Sequence, residues 1–427
     1  MGADEFDYVA LHELRAGLFV DLDLGWMSHP FPSSRFKITN NRQLEVLRGL
    51  GVDRIRYVPS KSDPVETPVD AAATEGEDST AVDFETDRLR VQREQRAAAR
   101  LAQQESLLQC ERRFVESTEQ YRKALSLVGS RPAEALKVGE KVVRDMAIEM
   151  AAQGDSAIRL LTEAAGDKAA MHPVNVTVLS LLLGKSMGLS EAALRGLGIA
   201  AFLHDMGKLN LPERVRRWEE GFSAAENKVY QDHVAQSVAM AREMGLSSGA
   251  INVIAQHHEM VDGSGFPARL KQDAIDVGAR VLSLVNRYDG LCNPVKMAAT
   301  MTPHEALAML FAQQKTRFDG KALSAFIRMM GVYPPGSVVQ LNDERHALVV
   351  SVNSARPLKP RVLIHEPAVP RHESIVIDLE KAPNTSIRRS LKPSSLPVAA
   401  MDYLQPRQRI CYFYEAAANG SAANLSA

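Results

Sequence analysis

Histidines set at the ends of helices constrain this chain more than any other feature. An apolar stretch, Ala201-Phe-Leu, runs into His204-Asp205 and then Met-Gly207-Lys208. Further on, Gln256-His257-His258-Glu259 is followed by Asp262-Gly-Ser-Gly265-Phe266-Pro267. Neighbouring residues on a helix point about 100° apart. A His and an Asp so placed can both reach one centre only if it sits over the helix end, and the aspartate can then bridge two ions. His257-His258 repeats the arrangement from another helix, and His172 and His233 supply further imidazoles. Each histidine alone is more often an ordinary core or surface residue; the combination carries the reading. Imidazole with carboxylate suits Fe, Mn, Zn or Ni, and two ions about 3.5–4 Å apart suit phosphoester hydrolysis, generating hydroxide at neutral pH and neutralising an in-line phosphorus transition state. Lys208, one turn beyond Asp205, is placed to stabilise a phosphate or leaving oxygen. Its plain alternative is a solvated helix-end lysine favoured by the dipole.

The surrounding pattern predicts a mainly α chain. Residues 155–330 read as consecutive helices with short connections. One is expected after Asp155, over Ala157 to Leu161, and another from near His172. Ser190 is a candidate N-cap, and Ser223-Ala-Ala-Glu226 and Thr302-Pro-His-Glu305 are capping boxes. No βαβ alternation or glycine-rich phosphate loop appears, which disfavours Rossmann or P-loop nucleotide binding. Before this region, Leu107, Phe114, Tyr121 and Val128 recur every seven residues. Such a repeat can form a coiled-coil seam joining two copies through helix 88–128, or dock the helix on its own domain. After Gly336 the period changes to two, predicting strands at Val338, Ala347, Arg361 and Ile375.

The expected organisation is an N-terminal α+β module at 1–60, an acidic flexible linker at 61–87 and a helical connector at 88–152. An all-helical metal-dependent phosphohydrolase domain follows at 153–332, then a C-terminal β appendage at 333–415 and a disordered tail at 416–427. In the first module, Trp26 and the Pro30-Phe31-Pro32 turn read as packing residues, with a short helix between Asn40 and Gly51. A formal net charge of −1 leaves no basic footprint for nucleic acid. The three cysteines, Cys110, Cys292 and Cys411, are too far apart for a zinc knuckle or a disulfide framework. No run approaches the roughly 18 apolar residues of a membrane span, and the start lacks a signal peptide's apolar core. A soluble, cytoplasmic protein is expected.

The sequence resembles the HD-GYP family, a branch of the HD-domain phosphohydrolases. The matching residues are His172-Pro-Val-Asn-Val, His204-Asp-Met-Gly-Lys208, Asp232-His233 and His257-His-Glu-Met-Val-Asp-Gly-Ser-Gly-Phe-Pro267. Residues 6–60 resemble the uncharacterised module that often precedes such domains. The resemblance implies a helical catalytic domain with a di-iron or di-manganese centre that hydrolyses cyclic di-GMP, either to linear pGpG alone or further to GMP. Carried over, one ion would take His172, His204 and Asp205, and the other His233, His257 and His258, with Asp205 bridging. Lys208 and Asp205 would be catalytic; Lys296, Gly265, Phe266, Pro267 and Asp262 would contact substrate. Four positions depart from the pattern. Lys168 stands where some members have a third-ion glutamate, and Phe266 replaces the GYP tyrosine. Asn286 replaces a ligand aspartate and can still coordinate a metal through its uncharged amide oxygen, with Asp289 as substitute or structural hydrogen-bonder. Asn293-Pro294-Val295-Lys296 keeps the lysine but not the arginine of a phosphate clamp. The alternative is therefore a degenerate member that binds a cyclic dinucleotide or a signalling protein without turnover.

Overall fold

The computed structural model describes residues 6–22, 35–39, 43–44, 47, 54–63, 79–152, 156–162, 170–216, 221–353 and 356–416. The chain divides into Met1–Thr80 and Ala81–Ala427. Trp26, the Pro30–Pro32 turn, most of the helix expected between Asn40 and Gly51, Lys168 and almost all of the expected tail lie outside the described residues.

The first unit is a four-stranded antiparallel sheet. Its strands β1 (Asp7–Ala10), β2 (Phe19–Asp21), β3 (Arg35–Lys37) and β4 (Arg54–Tyr57) run in the order β1-β4-β2-β3. Val9, Val20, Ile38 and Ile55 form its core with Leu44 and Leu47. Asp21 is buried but paired with Arg35 at 3.1 Å and Arg56 at 3.0 Å, the arrangement a buried carboxylate requires. Asp63 is tied to Gly17, its N–H donating to that carbonyl at 2.9 Å. Ordered chain therefore extends into the range expected to be linker, and at the other end of that range a helix already begins at Ser79.

That helix, α1 (Ser79–Leu127), is followed by α2 (Pro132–Ala152), α3 (Met171–Ser186), α4 (Glu191–Leu203), α5 (Ala224–Met244), α6 (Ser248–Gln256), α7 (Val277–Cys292), α8 (Pro303–Ala312) and α9 (Gly320–Met330). The local start signals are present as hydrogen bonds. The Ser190 side chain accepts from Ala193 N–H, and both capping boxes close. Helix α3 is apolar on nearly every side and buried from Met171 to Gly184, except for His172. It packs against α2, α4, α7 and α9. No described helix is long and apolar enough to cross a membrane.

Two expectations are corrected. The helix predicted over Ala157 to Leu161 is a strand, β5 (Ser156–Leu160), buried along its whole length between β7 (His346–Asn353) and β11 (Tyr412–Ala416). Pairing on both edges overrides the weak local pattern of five residues. With β6 (Val338–Leu341), β8 (Arg361–Ile364), β9 (Val376–Asp378) and β10 (Ile387–Leu391) it completes a seven-stranded antiparallel sheet. The domain expected to be all helical thus contributes a strand, and the C-terminal region is not a detached appendage. Tyr412, Phe413 and Tyr414 belong to the same core as the helices, and a short helix, α10 (Val398–Leu404), also packs there.

The seven-residue repeat is likewise resolved within the chain. Phe114, Tyr121 and Val128 are buried in that shared core, and Leu107 packs against it. Phe114 meets Phe413 edge-on, Ser106 donates to Glu415 at 2.9 Å, and Gln103 bonds the backbone of Val376 both ways. The residues expected to form a dimer seam are therefore covered by their own domain, while the neighbouring Leu101 and Leu108 are exposed.

Candidate metal centre

Asp205 follows the C-terminal end of α4 and sits between two sets of imidazoles. Its Oδ2 faces His172 Nε2 at 3.6 Å and His204 Nε2 at 3.4 Å; its Oδ1 faces His233 Nε2 at 3.5 Å and His257 Nε2 at 4.0 Å. His258 Nε2 lies 3.2 Å from His233 Nε2. The donor atoms fall into two groups that share Asp205: His172, His204 and Asp205, and Asp205, His233, His257 and His258. Within each group they lie no more than 4.8 Å apart. All five expected histidines and the expected aspartate are thus brought together from α3, α4, α5 and the end of α6. His204 Nε2 and Asp205 Oδ1 are buried without a hydrogen-bond partner. In a protein interior such orphaned atoms call for a partner, and converging lone pairs from neutral imidazoles and one carboxylate fit divalent transition ions.

The rings are held so that Nε2 points inward. His204 Nδ1 meets the carbonyl of Ala201 at 2.8 Å, His257 Nδ1 that of Ile254 at 2.6 Å, and His233 Nδ1 that of Tyr230. Each Nδ1–H donates to a carbonyl three residues back, which leaves the Nε2 lone pair free for a metal. His172 uses a carboxylate instead: its Nδ1 lies 2.6 Å from Asp289 Oδ2, while Asp289 Oδ1 accepts from Asn175 at 2.9 Å and Asn293 at 3.0 Å. Asp289 therefore orients a ligand. Replacing Asp289 with asparagine is expected to cost about 10–100-fold in metal affinity. Its oxygen would stay with the two amides and its NH2 would face His172, moving the ring proton to Nε2. Metal titration of the folded variant checks this; wild-type affinity would refute the orienting role.

The model of the HD domain matches residues 145–322, that of a domain of unknown function residues 8–138, and that of a KOW domain associated with HD domains residues 338–398. The cyclic di-GMP phosphodiesterase PA4108 of Pseudomonas aeruginosa is 26% identical over 88% of this chain and 90% of its own length. The cyclic di-GMP phosphodiesterase response regulator RpfG of Xanthomonas campestris is 34% identical over 34% of this chain and 39% of its own. A 3′3′-cGAMP-specific phosphodiesterase of Vibrio cholerae is 25% identical over 41% of this chain and 38% of its own. This chain carries an HD domain and is similar to the HD-GYP branch.

Two glycines of the HD-GYP motifs have steric reasons. A Cβ on Gly207 would lie 2.2 Å from the His233 carbonyl and 2.5 Å from Ser237 N. The close approach is fastened by Ser237 Oγ, which accepts from Gly207 N–H at 2.9 Å and donates to the His204 carbonyl at 2.8 Å. A Cβ on Gly265 would meet Met260 N at 2.4 Å and the His258 carbonyl at 2.5 Å. The GYP-like loop is held from beneath by buried Glu259, whose carboxylate accepts from Ala268 N–H at 2.6 Å and Leu270 N–H at 2.9 Å. Phe266 stacks on His258, ring centroids 4.5 Å apart.

A cavity of about 920 Å³ opens over His172, Asp205 and His258. Lys208, Phe266, Asn286 and Lys296 line it. Asp262, Gly265 and Pro267, expected to contact substrate, are not among its lining residues. Asp262 is exposed and accepts from Ser264 N–H at 2.8 Å, Gly265 is enclosed by backbone, and Pro267 faces solvent. Lys208 Nζ lies 2.6 Å from Asp205 Oδ2 and over the Tyr230 ring. The Asn286 side chain has no hydrogen bond among the described residues. Asn293, where the clamp arginine was expected, instead bonds Asp289 and the backbone of Ile410. Arg122, Arg216, Arg287 and Arg317 also line the cavity; no local sequence signal marked them, because they come from four separate elements.

Charge states follow from burial. Desolvation pushes the His204 imidazole down from 6.5 to about 4, and those of His233 and His257 to about 3, so all are neutral at pH 7. Burial opposes ionisation of Asp205, but His204 and Lys208 hold it well below the usual carboxylate range. Burial also opposes the charge on Lys208; Asp205 outweighs it and raises its pKa. Between the depressed values and 6.5 the unfolded chain binds more protons than the folded one. Metal-free protein is therefore expected to have its full stability above about pH 6.5 and to lose it progressively as pH falls toward 4. Urea midpoints that drop between about pH 7 and about pH 5 check this; a flat profile would contradict it.

Proposed function

We propose that this chain is a metal-dependent phosphodiesterase that opens cyclic di-GMP to linear pGpG, with a second cut giving GMP, in the cytoplasm. The observation that carries the reading is Asp205, whose two oxygens each face a separate set of histidines. The two relatives named cyclic di-GMP phosphodiesterases support the substrate class. Two divalent ions, Fe or Mn by the donor set, would activate water at neutral pH and offset charge on the phosphorus transition state when bound. His172, His204 and Asp205 would hold one, and Asp205, His233, His257 and His258 the other. The chain's own residues do the rest. Lys208 stays cationic against Asp205 and is within the cavity wall, where it can meet a phosphate oxygen. Phe266 gives an apolar wall, and the arginines around it favour an anionic ligand.

Asn286 favours a second reading, a receptor without turnover. It lines the cavity that opens over His172, and an amide oxygen supplies no charge to an ion. The test is elemental analysis of anaerobically purified protein with cyclic di-GMP turnover assayed on the same sample. About two ions per chain with pGpG formation supports the enzyme. Loss of turnover after Fe(II) or Mn(II) is restored, with gain of turnover in Asn286→Asp, would assign the defect to this position. No turnover in either protein, with binding retained, would establish the receptor.

A further inference from the structure

We propose that Arg409, carried on the segment leading into β11, binds the second, non-scissile phosphate of the cyclic dinucleotide. This deepens the phosphodiesterase reading and rests on it. A cyclic dinucleotide carries two phosphodiesters on one ring. With one of them over Asp205, the other needs a cation elsewhere in the same cavity.

Arg409 lines that cavity and is half-buried. The other arginines and lysines of its wall are already engaged. Lys208 bonds Asp205, Arg216 the carbonyls of Leu209 and Leu211, Arg287 the Gln314 side chain, and Arg317 Ser264. Arg122 and Lys296 have partners too. The Arg409 guanidinium, among the described residues, has no hydrogen bond or ion pair. A planar group with five donors, left unmet at a cavity wall, is suited to bidentate capture of a phosphodiester.

The segment that carries it is anchored on both sides of the next residues. Asn293 donates to the Ile410 carbonyl at 2.9 Å and accepts from Ile410 N–H at 2.8 Å. Asn175 donates to the same carbonyl at 2.8 Å and accepts from Tyr412 N–H at 3.0 Å. The carbonyl of Cys411 accepts from Leu161 N–H at 3.0 Å. Two side-chain amides thus hold this backbone as a neighbouring strand would, and both also bond Asp289, the residue that orients His172. The position of Arg409 is in this way set relative to the metal centre rather than left to a loop.

The test compares metal-loaded full-length wild type, Arg409→Gln and Arg409→Lys. Each is assayed for kcat and KM on cyclic di-GMP and 3′3′-cGAMP, and on bis(p-nitrophenyl) phosphate, which carries a single phosphodiester. Arg409→Gln is expected to raise KM for the cyclic dinucleotides about tenfold, the loss of one charge-assisted contact. Selectivity for the dinucleotides over the single diester falls by the same factor, metal content stays at the wild-type level, and Arg409→Lys recovers part of the loss. Unchanged KM, or equal losses on all substrates, would overturn the role of Arg409. Failure of the wild type itself to act on any cyclic dinucleotide, while cleaving the single diester, would overturn the underlying substrate reading before any variant is compared.

Discussion

Asp205→Asn is expected to empty the centre. Metal content should fall from about two ions per chain to below one, and turnover by roughly 10³-fold or more, a barrier increase of about 4 kcal/mol. The two oxygens of Asp205 face different histidine sets. An asparagine would keep one oxygen and turn an NH2 group, which cannot ligate a cation, toward the other set. It would also remove the only carboxylate in either ligand group. Two dications gathered by neutral imidazoles, with no anion between them, face a large uncompensated repulsion in a site shielded from water. The substitution is nearly isosteric, and the neighbouring Lys208 keeps access to solvent, so the fold should survive. Elemental analysis, turnover and circular dichroism on one preparation check all three statements. Two retained ions in a folded variant would sink the bridging role.

Gly207→Ala should have the second largest effect, by a different route. Its methyl group would lie 2.2 Å from the His233 carbonyl and 2.5 Å from Ser237 N. Both are backbone atoms of α5 and cannot rotate aside. The segment after α4 and helix α5 must move apart, breaking the bonds through Ser237 Oγ. Overpacking in a well-packed interior costs about 1–3 kcal/mol and occasionally more, and contacts with backbone belong at the upper end. A fall in melting temperature of roughly 5 °C or more is expected. The same separation draws His233 away from Asp205, so the second ion should be lost while the first, on His172 and His204, is retained. A variant with wild-type melting temperature and two ions would show that the two elements are not held this closely in solution.

These two substitutions also mark how far the chain can be read without its fold. The Asp205 pattern was legible because it is local: adjacent residues at a helix end diverge by a fixed angle, and the paired histidines repeat the device. Capping residues Ser190, Ser223 and Thr302 were legible for the same reason, since each satisfies donors within three residues of itself. The seven-residue repeat of α1 was visible, but not what it packs against. A helix face reads the same whether a second copy or its own sheet covers it. Here Tyr414 and Phe413 cover it.

Departures from the motif were visible as letters and uninterpretable as letters. Asn293 read as a lost arginine; in three dimensions it holds Ile410, more than a hundred residues later in the chain. Asp289 read as a ligand or a structural group, and only its 2.6 Å approach to His172 Nδ1 assigns it to orienting the ring. The strand at Ser156–Leu160 had too few residues to declare a period, and pairing with β7 and β11 decided its conformation. The sequence by itself determined the donor chemistry and the helix ends that carry it, because each depends on bonds and angles within a few residues. Tertiary structure alone decided which oxygen of Asp205 faces which histidines, which asparagines hold the C-terminal segment, and that Arg409 reaches the cavity. Those depend on contacts between residues far apart in the chain, whose geometry no local pattern encodes.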